Sequence, residues 1–210
     1  MGVSVIKKYL LKLFILFLLV SAETIFAGLK PFEEIEAYSP TVAATTRLNT
    51  LREMTSKDFV RIIRQELNKI MSPKVQLTEE EQRSLGDEPP VRLEEWIRII
   101  NTRTEMPRED MLYTIIILKR LLHRNKKLRL TRNNAYRLFL IATILSNKML
   151  EDVNHENIDW EEISCRWYSN KQLNLWEIEM FGALGCKVHI DERKFYKFIM
   201  TIDLPPLKKR

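Results

Sequence analysis

Glycine is scarce in this 210-residue chain: there are five, beside eight prolines, two cysteines and three histidines. So few glycines argue against an all-β protein built on tight turns. Two cysteines exclude a disulfide-dense miniprotein, and neither Cys165 nor Cys186 has a second Cys or His at metal-ligand spacing. Two buried thiols are the expectation; a single disulfide is the alternative in an oxidising compartment. The signatures of common catalysts are missing as well. No GxSxG, GxxxxGK[ST], HExxH or GxGxxG occurs. His123 lies in a basic stretch and His155 in a polar one, so both are expected to be exposed. His189 ends an element and is expected to be packed or at the surface. Nothing in the sequence argues for an enzyme, and no cofactor or metal is implied.

Acid is missing from one long interval. Between Asp110 and Glu151 there is no Asp or Glu, while Lys119, Arg120, Arg124, Lys126, Lys127, Arg129, Arg132, Arg137 and Lys148 all fall there. Two readings stay open: a solvated basic face, or a patch at Arg124, Lys126, Lys127 and Arg129 that docks an acidic partner, phosphate or nucleic acid. The formal net charge is +6, from 34 basic and 28 acidic residues, but residues 1–22 hold three lysines and no acid. Residues 23–210 carry only +3, so bulk charge does not argue for nucleic acid.

Residues 1–22 read as a targeting segment. Lys7, Lys8 and Lys12 precede the apolar run Leu13–Val20, and Val20-Ser21-Ala22 offers small residues for cleavage. The run is short for a membrane span of ~20 apolar residues. A signal peptide or signal anchor is the expectation, and a membrane contact would come through this segment. The alternative is a hydrophobic helix of a cytosolic protein. Residues 23–55, with Pro31, Pro40 and weak periodicity, read as a linker.

With 45% hydrophobic and 30% charged residues, the remainder has the composition of a folded domain, expected over 56–200. Its periodicity is helical. Ser56 caps a first helix carrying Phe59, Ile62, Ile63, Leu67 and Ile70. A second runs near Arg92–Asn101, with Trp96, Ile99 and Ile100 on one side. A third begins at Met106-Pro107, with Glu109 and Asp110 in its first turn, and covers 108–123. A fourth covers 131–149 with small residues, Ala135, Ala142, Thr143 and Ser146, at close-packing positions. Both are apolar nearly all round and are expected to be central. A short turn at Asp159–Ser164 follows, with Trp160 and Ile163 inward. Ser169 caps a long helix whose apolar set is Leu173, Trp176, Ile178, Met180, Phe181 and Leu184. Phe195, Phe198 and Ile199 mark a short terminal helix, and 201–210 is a basic tail.

One constellation spans these helices: Lys148-Met149-Leu150-Glu151-Asp152, then Asn157-Ile158-Asp159-Trp160, then Leu173-Asn174-Leu175-Trp176-Glu177-Ile178-Glu179, then Leu184-Gly185. In this order it resembles the cyclin box. Ile115–Leu122 is similar to the second box helix, and the layout over Phe59–Ile199 resembles single-box cyclins: the plant U/P type, the fungal phosphate-signalling type and cyclin Y. The resemblance implies an all-α fold, a single five-helix cyclin box with an extra N-terminal helix and a short C-terminal one. It also implies a protein that binds and activates a cyclin-dependent-type protein kinase. Lys148 and Glu177 would then lie together on an exposed rim and bond backbone groups of the kinase's regulatory helix. Read without the resemblance, they are a structural pair or two solvated charges. At position 119 the family usually carries an Asp that pairs with an Arg of the first helix. Lys119 cannot make that bond, so the bridge is lost or rebuilt.

Two rivals remain: a nucleic-acid-binding protein of cyclin fold using the basic belt at 119–137, and a secreted helical scaffold without a kinase. The resemblance points to cytoplasm or nucleus, and residues 1–22 point to export or anchoring.

Overall fold

The computed structural model describes residues 39–72, 89–152 and 154–204. The targeting reading of residues 1–22 and most of the basic tail therefore lie outside the described residues. The chain divides after Ala43, and the helical body belongs to Ala44–Arg210. The described helices are α1 (Ser39–Glu53), α2 (Ser56–Ile70), α3 (Leu93–Thr104), α4 (Arg108–Arg124), α5 (Arg132–Leu150), α6 (Asn157–Ile163), α7 (Asn170–Ala183) and α8 (Glu192–Thr201). No strand occurs among the described residues.

The caps show why each helix starts where it does. Thr55, rather than Ser56, is the N-cap of α2, and its side chain accepts the Asp58 N–H at 3.1 Å. Ser169 caps α7 within a capping box completed by Gln172. Asp191 Oδ1 accepts the Lys194 N–H at the head of α8. Pro107 stands one place outside α4, with Glu109 and Asp110 in the first turn. Glu105, at φ 50°, breaks the chain between α3 and α4 in the left-handed region.

α4 and α5 form the centre. Every residue from Leu138 to Asn147 is buried. Small side chains let the two helices approach: Thr114 Oγ1 and Thr143 Oγ1 are 3.4 Å apart, and Ser146 Oγ donates to the Asp110 carbonyl at 2.7 Å. α3 seals another side with Trp96, whose indole N–H donates to the Tyr136 carbonyl at 3.2 Å. Tyr113, on α4, donates to the Ile190 carbonyl at 2.9 Å and stacks near Phe195, tying α8 to the core.

Three expectations need correction. The proposed linker at 23–55 contains α1, which buries Ala44, Leu48 and Leu51. Its few large apolar residues, Val42, Leu48 and Leu51, stand among small and polar ones, and Val42 faces solvent, so its periodicity is faint. The two cysteines are free and exposed rather than buried. Both occupy left-handed positions, φ 56°, in the turns that end α6 and α7. His155 is half-buried instead of exposed, edge-on to Trp160 with Nε2 3.4 Å from the Thr104 carbonyl oxygen.

The apolar set expected for α7 also divides. Leu173, Met180 and Leu184 are buried, but Ile178 is 71% exposed and Phe181 40%. α7 is apolar on more than one side, and only one stripe meets the body. The other faces solvent, beside the end of α5.

Candidate partner-binding site

Lys148 occupies the last turn of α5, where a cation complements the exposed carbonyls of the helix end. The chain then reverses sharply. Asn147, itself buried, accepts the His155 N–H on Oδ1 at 3.0 Å and so holds the loop that leads into α6. A reciprocal cap between Glu156 and Asp159 starts α6 one residue later and fixes Asn157 at its head. α7 passes alongside and contributes Asn174 and Glu177, three residues apart on one face.

These elements bring Lys148 and Glu177 together across 29 positions of sequence. Lys148 Nζ donates to both Glu177 carboxylate oxygens at 2.8 Å and to Asn157 Oδ1 at 2.9 Å. Asn157 Nδ2 lies 2.6 Å from Glu177 Oε2 and 2.8 Å from Asn174 Oδ1. The side chains of Lys148 and Glu177 are 30% and 17% exposed, so the pair is sunk into the surface rather than standing on an open rim. The lysine has spent its three donors. The carboxylate has taken three of its roughly four acceptor positions, leaving one for an outside donor.

Beside the pair lies an apolar groove of about 390 Å³ lined by Leu145, Met149, Ile178, Phe181 and Val188. Ile178 and Phe181, with Leu175, are large apolar residues that α7 leaves exposed. Lys148 and Glu177 stand in the lining of the same groove, so its apolar floor is edged by the ion pair. The groove lining holds no Ser, Thr, Cys or His side chain, and among the described residues no group of three metal-ligating side chains occurs.

The basic patch is a separate place. Arg124, Lys126, Lys127 and Arg129 are exposed, in the turn between α4 and α5. Arg132 and Lys148 stand at opposite ends of α5, about 24 Å apart at 1.5 Å per residue. The structure therefore does not bring the patch to the ion pair.

Lys119 has a partner. Its Nζ lies 3.3 Å from Glu66 Oε2 and 4.4 Å from the Phe198 ring centroid. Glu66 is 2% exposed and also receives Lys69 at 2.6 Å, and Lys69 in turn reaches Asp203 at 2.8 Å. Lys119 thus ties α4 to α2, with the cation on α4 and the acid on α2.

Asn157, Asn174 and the groove residues were not singled out as site residues by the sequence. Asn174 could have been, since it sits three residues before Glu177 on the same helical face.

Among the described residues the body is all helical, with a partly buried ion pair beside an apolar groove. A family model described as the cyclin N-terminal domain matches residues 57–189, more than half of the chain, and the chain belongs to the cyclin family, with a single cyclin box. The match runs from α2 to just beyond α7, and α1 and α8 lie outside it as additional N-terminal and C-terminal helices. A search of curated proteins finds no match.

Proposed function

We propose that this cyclin-box protein binds a cyclin-dependent-type protein kinase and activates it by holding the kinase's regulatory helix. The observation that carries the reading is the Lys148–Glu177–Asn157 cluster at the edge of an open apolar groove. The apolar side chains of a docked helix would fill the groove between Ile178 and Phe181. Glu177 would use its remaining acceptor position for a backbone N–H of the kinase, and Lys148 would turn one of its bonds to a carbonyl at the end of that helix. Held in this way, the helix presents its glutamate to the kinase's own lysine, and that ion pair is the step that switches on phosphoryl transfer. The box itself performs no chemistry.

Among the described residues no helix is long and apolar enough to cross a membrane.

The test is recovery of kinases on the tagged full chain from its source cells, compared with the double variant Lys148→Ala/Glu177→Ala. The double variant removes both charges and so leaves neither one orphaned. The reading expects a protein kinase bound to the native chain and lost from the variant at unchanged folding. A native chain that recovers no kinase contradicts it.

A further inference from the structure

The basic turn is the largest feature that kinase binding leaves unused. Its backbone is pinned at both ends. Asn125 donates through Nδ2 to the carbonyls of Leu121 and Ala183, and the Leu128 N–H closes the turn on the Asn125 carbonyl at 2.9 Å. Asn134 Nδ2 holds the Arg129 carbonyl at 2.8 Å, and the Leu130 carbonyl accepts the Ser72 N–H at 2.8 Å. Leu130 is fully buried and anchors the segment in the core. The cations of the turn are thus presented on a rigid frame, with little ordering left to do when something binds.

Several cations elsewhere are paired within the protein, whereas Lys57, Lys171 and Lys197 stand exposed and scattered on separate helices. Lys69 and Lys119 converge on Glu66, Lys148 takes Glu177, and Arg120 is spent on the carbonyls of Lys187, Val188 and His189. Lys126, Lys127, Arg129 and Arg132 are all exposed, and among the described residues none has an ion-pair partner. Arg124 joins them from the end of α4. It lies over Gly185, where any Cβ would collide with the guanidinium.

We propose that the turn 124–132 is a docking site for an acidic segment of a second protein, independent of the groove. Five cations within nine residues match a short run of carboxylates. They suit nucleic acid less well. The turn offers no aromatic side chain for a base to stack on. Its cations also end within seven residues of Lys126, too short an arc to track a duplex backbone. With about 24 Å of α5 between the turn and Lys148, an acidic segment and a helix in the groove can be held at once.

The test is fluorescence anisotropy of a labelled octaglutamate peptide against the full chain, with an octaglutamine peptide and a short labelled DNA duplex as comparators. The expected result is saturable binding of octaglutamate alone, weakening as salt rises. Charge reversal in Lys126→Glu/Lys127→Glu/Arg129→Glu should weaken it by about 10-fold or more, at an unchanged melting temperature. Lys148→Ala/Glu177→Ala should leave it unchanged, which separates this site from the kinase-binding one. Equal binding of octaglutamine, or indifference to the charge reversal, overturns the proposal. So does a duplex that binds more tightly than the peptide. Binding that develops only in Glu79→Gln/Glu80→Gln/Glu81→Gln overturns it too, by assigning the turn to the chain's own carboxylates.

Discussion

Replacing Lys119 by Asp, the residue the family usually carries there, is expected to damage this protein. The reason is Glu66. It is 2% exposed, and its two oxygens are shared between Lys69 at 2.6 Å and Lys119 at 3.3 Å. Lys119→Met removes one of two cations and leaves Glu66 paired with Lys69, a loss of about 1–2 kcal/mol. Lys119→Asp goes further and faces a buried carboxylate with a second one. At ~4 Å and an effective dielectric near 20, unit charges interact by about 4 kcal/mol. The Lys119 contact over the Phe198 ring is lost in both variants. The expected total for Lys119→Asp is therefore about 4–6 kcal/mol, against a total stability of ~5–15 kcal/mol for ordinary domains. For a chain of this length that is a fall in melting temperature of roughly 10–20 °C. The assay is urea unfolding followed by circular dichroism, with Glu66→Arg/Lys119→Asp as the restoring variant. The double variant should recover part of the loss, limited by Lys69 beside the new arginine. If Lys119→Asp is no worse than Lys119→Met, or the double variant is worse than both, the Lys119–Glu66 ion pair is not what holds α2 to α4.

Asp110 is expected to make stability fall as pH rises. It is 2% exposed; burial first, then Glu151 and Glu109, push its pKa up to about 7. The unfolded value is near 3.9, so the native state holds the extra proton between about pH 4 and 7, and stability declines across that window. Asp110→Asn should flatten the decline and add about 1–3 kcal/mol at pH 8, read from urea midpoints at pH 5 and pH 8. Ala142→Trp should abolish cooperative unfolding or lower its midpoint sharply. Ala142 is fully buried on α5, and overpacking costs ~1–3 kcal/mol or more; an unchanged midpoint would refute the tight α5 packing. Gly185→Ala should cost about 1 kcal/mol, because φ is 64° and the new Cβ must displace Arg124; a melt identical to the native chain would contradict this.

The helices that carry the core were legible because their patterns are strong. α2 shows a single apolar stripe, although its cap is Thr55 and not the expected Ser56, and α4 and α5 are so apolar that only a central position suits them. α1 was not legible. Its buried residues, Ala44, Leu48 and Leu51, are separated by threonines, Arg47 and Asn49, a polar run that mimics a linker. The ion pair was anticipated because Lys148 and Glu177 stand in motifs of recognisable order. Its depth was not, since burial of the pair depends on Asn157, brought in by a loop that Asn147 holds from within the core. The groove was hidden for a different reason. Ile178 and Phe181 look like core residues in one dimension, and only the packing of α7 shows that no part of the body covers them. Nor could Lys119 disclose its partner, which lies 53 positions earlier on another helix.

The most direct measurement of the central claim is the affinity of the purified chain for the kinase it recovers, paired with that kinase's phosphoryl-transfer rate. The account predicts that binding raises the rate. It predicts that Lys148→Ala and Glu177→Ala each weaken binding by about 2–5 kcal/mol, since either change leaves a charged partner unpaired within the contact. Ile178→Glu should weaken binding too while leaving the fold intact, because Ile178 is already 71% exposed in the free protein. Affinity and rate that survive all three substitutions would contradict the claim that the ion pair and its groove hold the kinase.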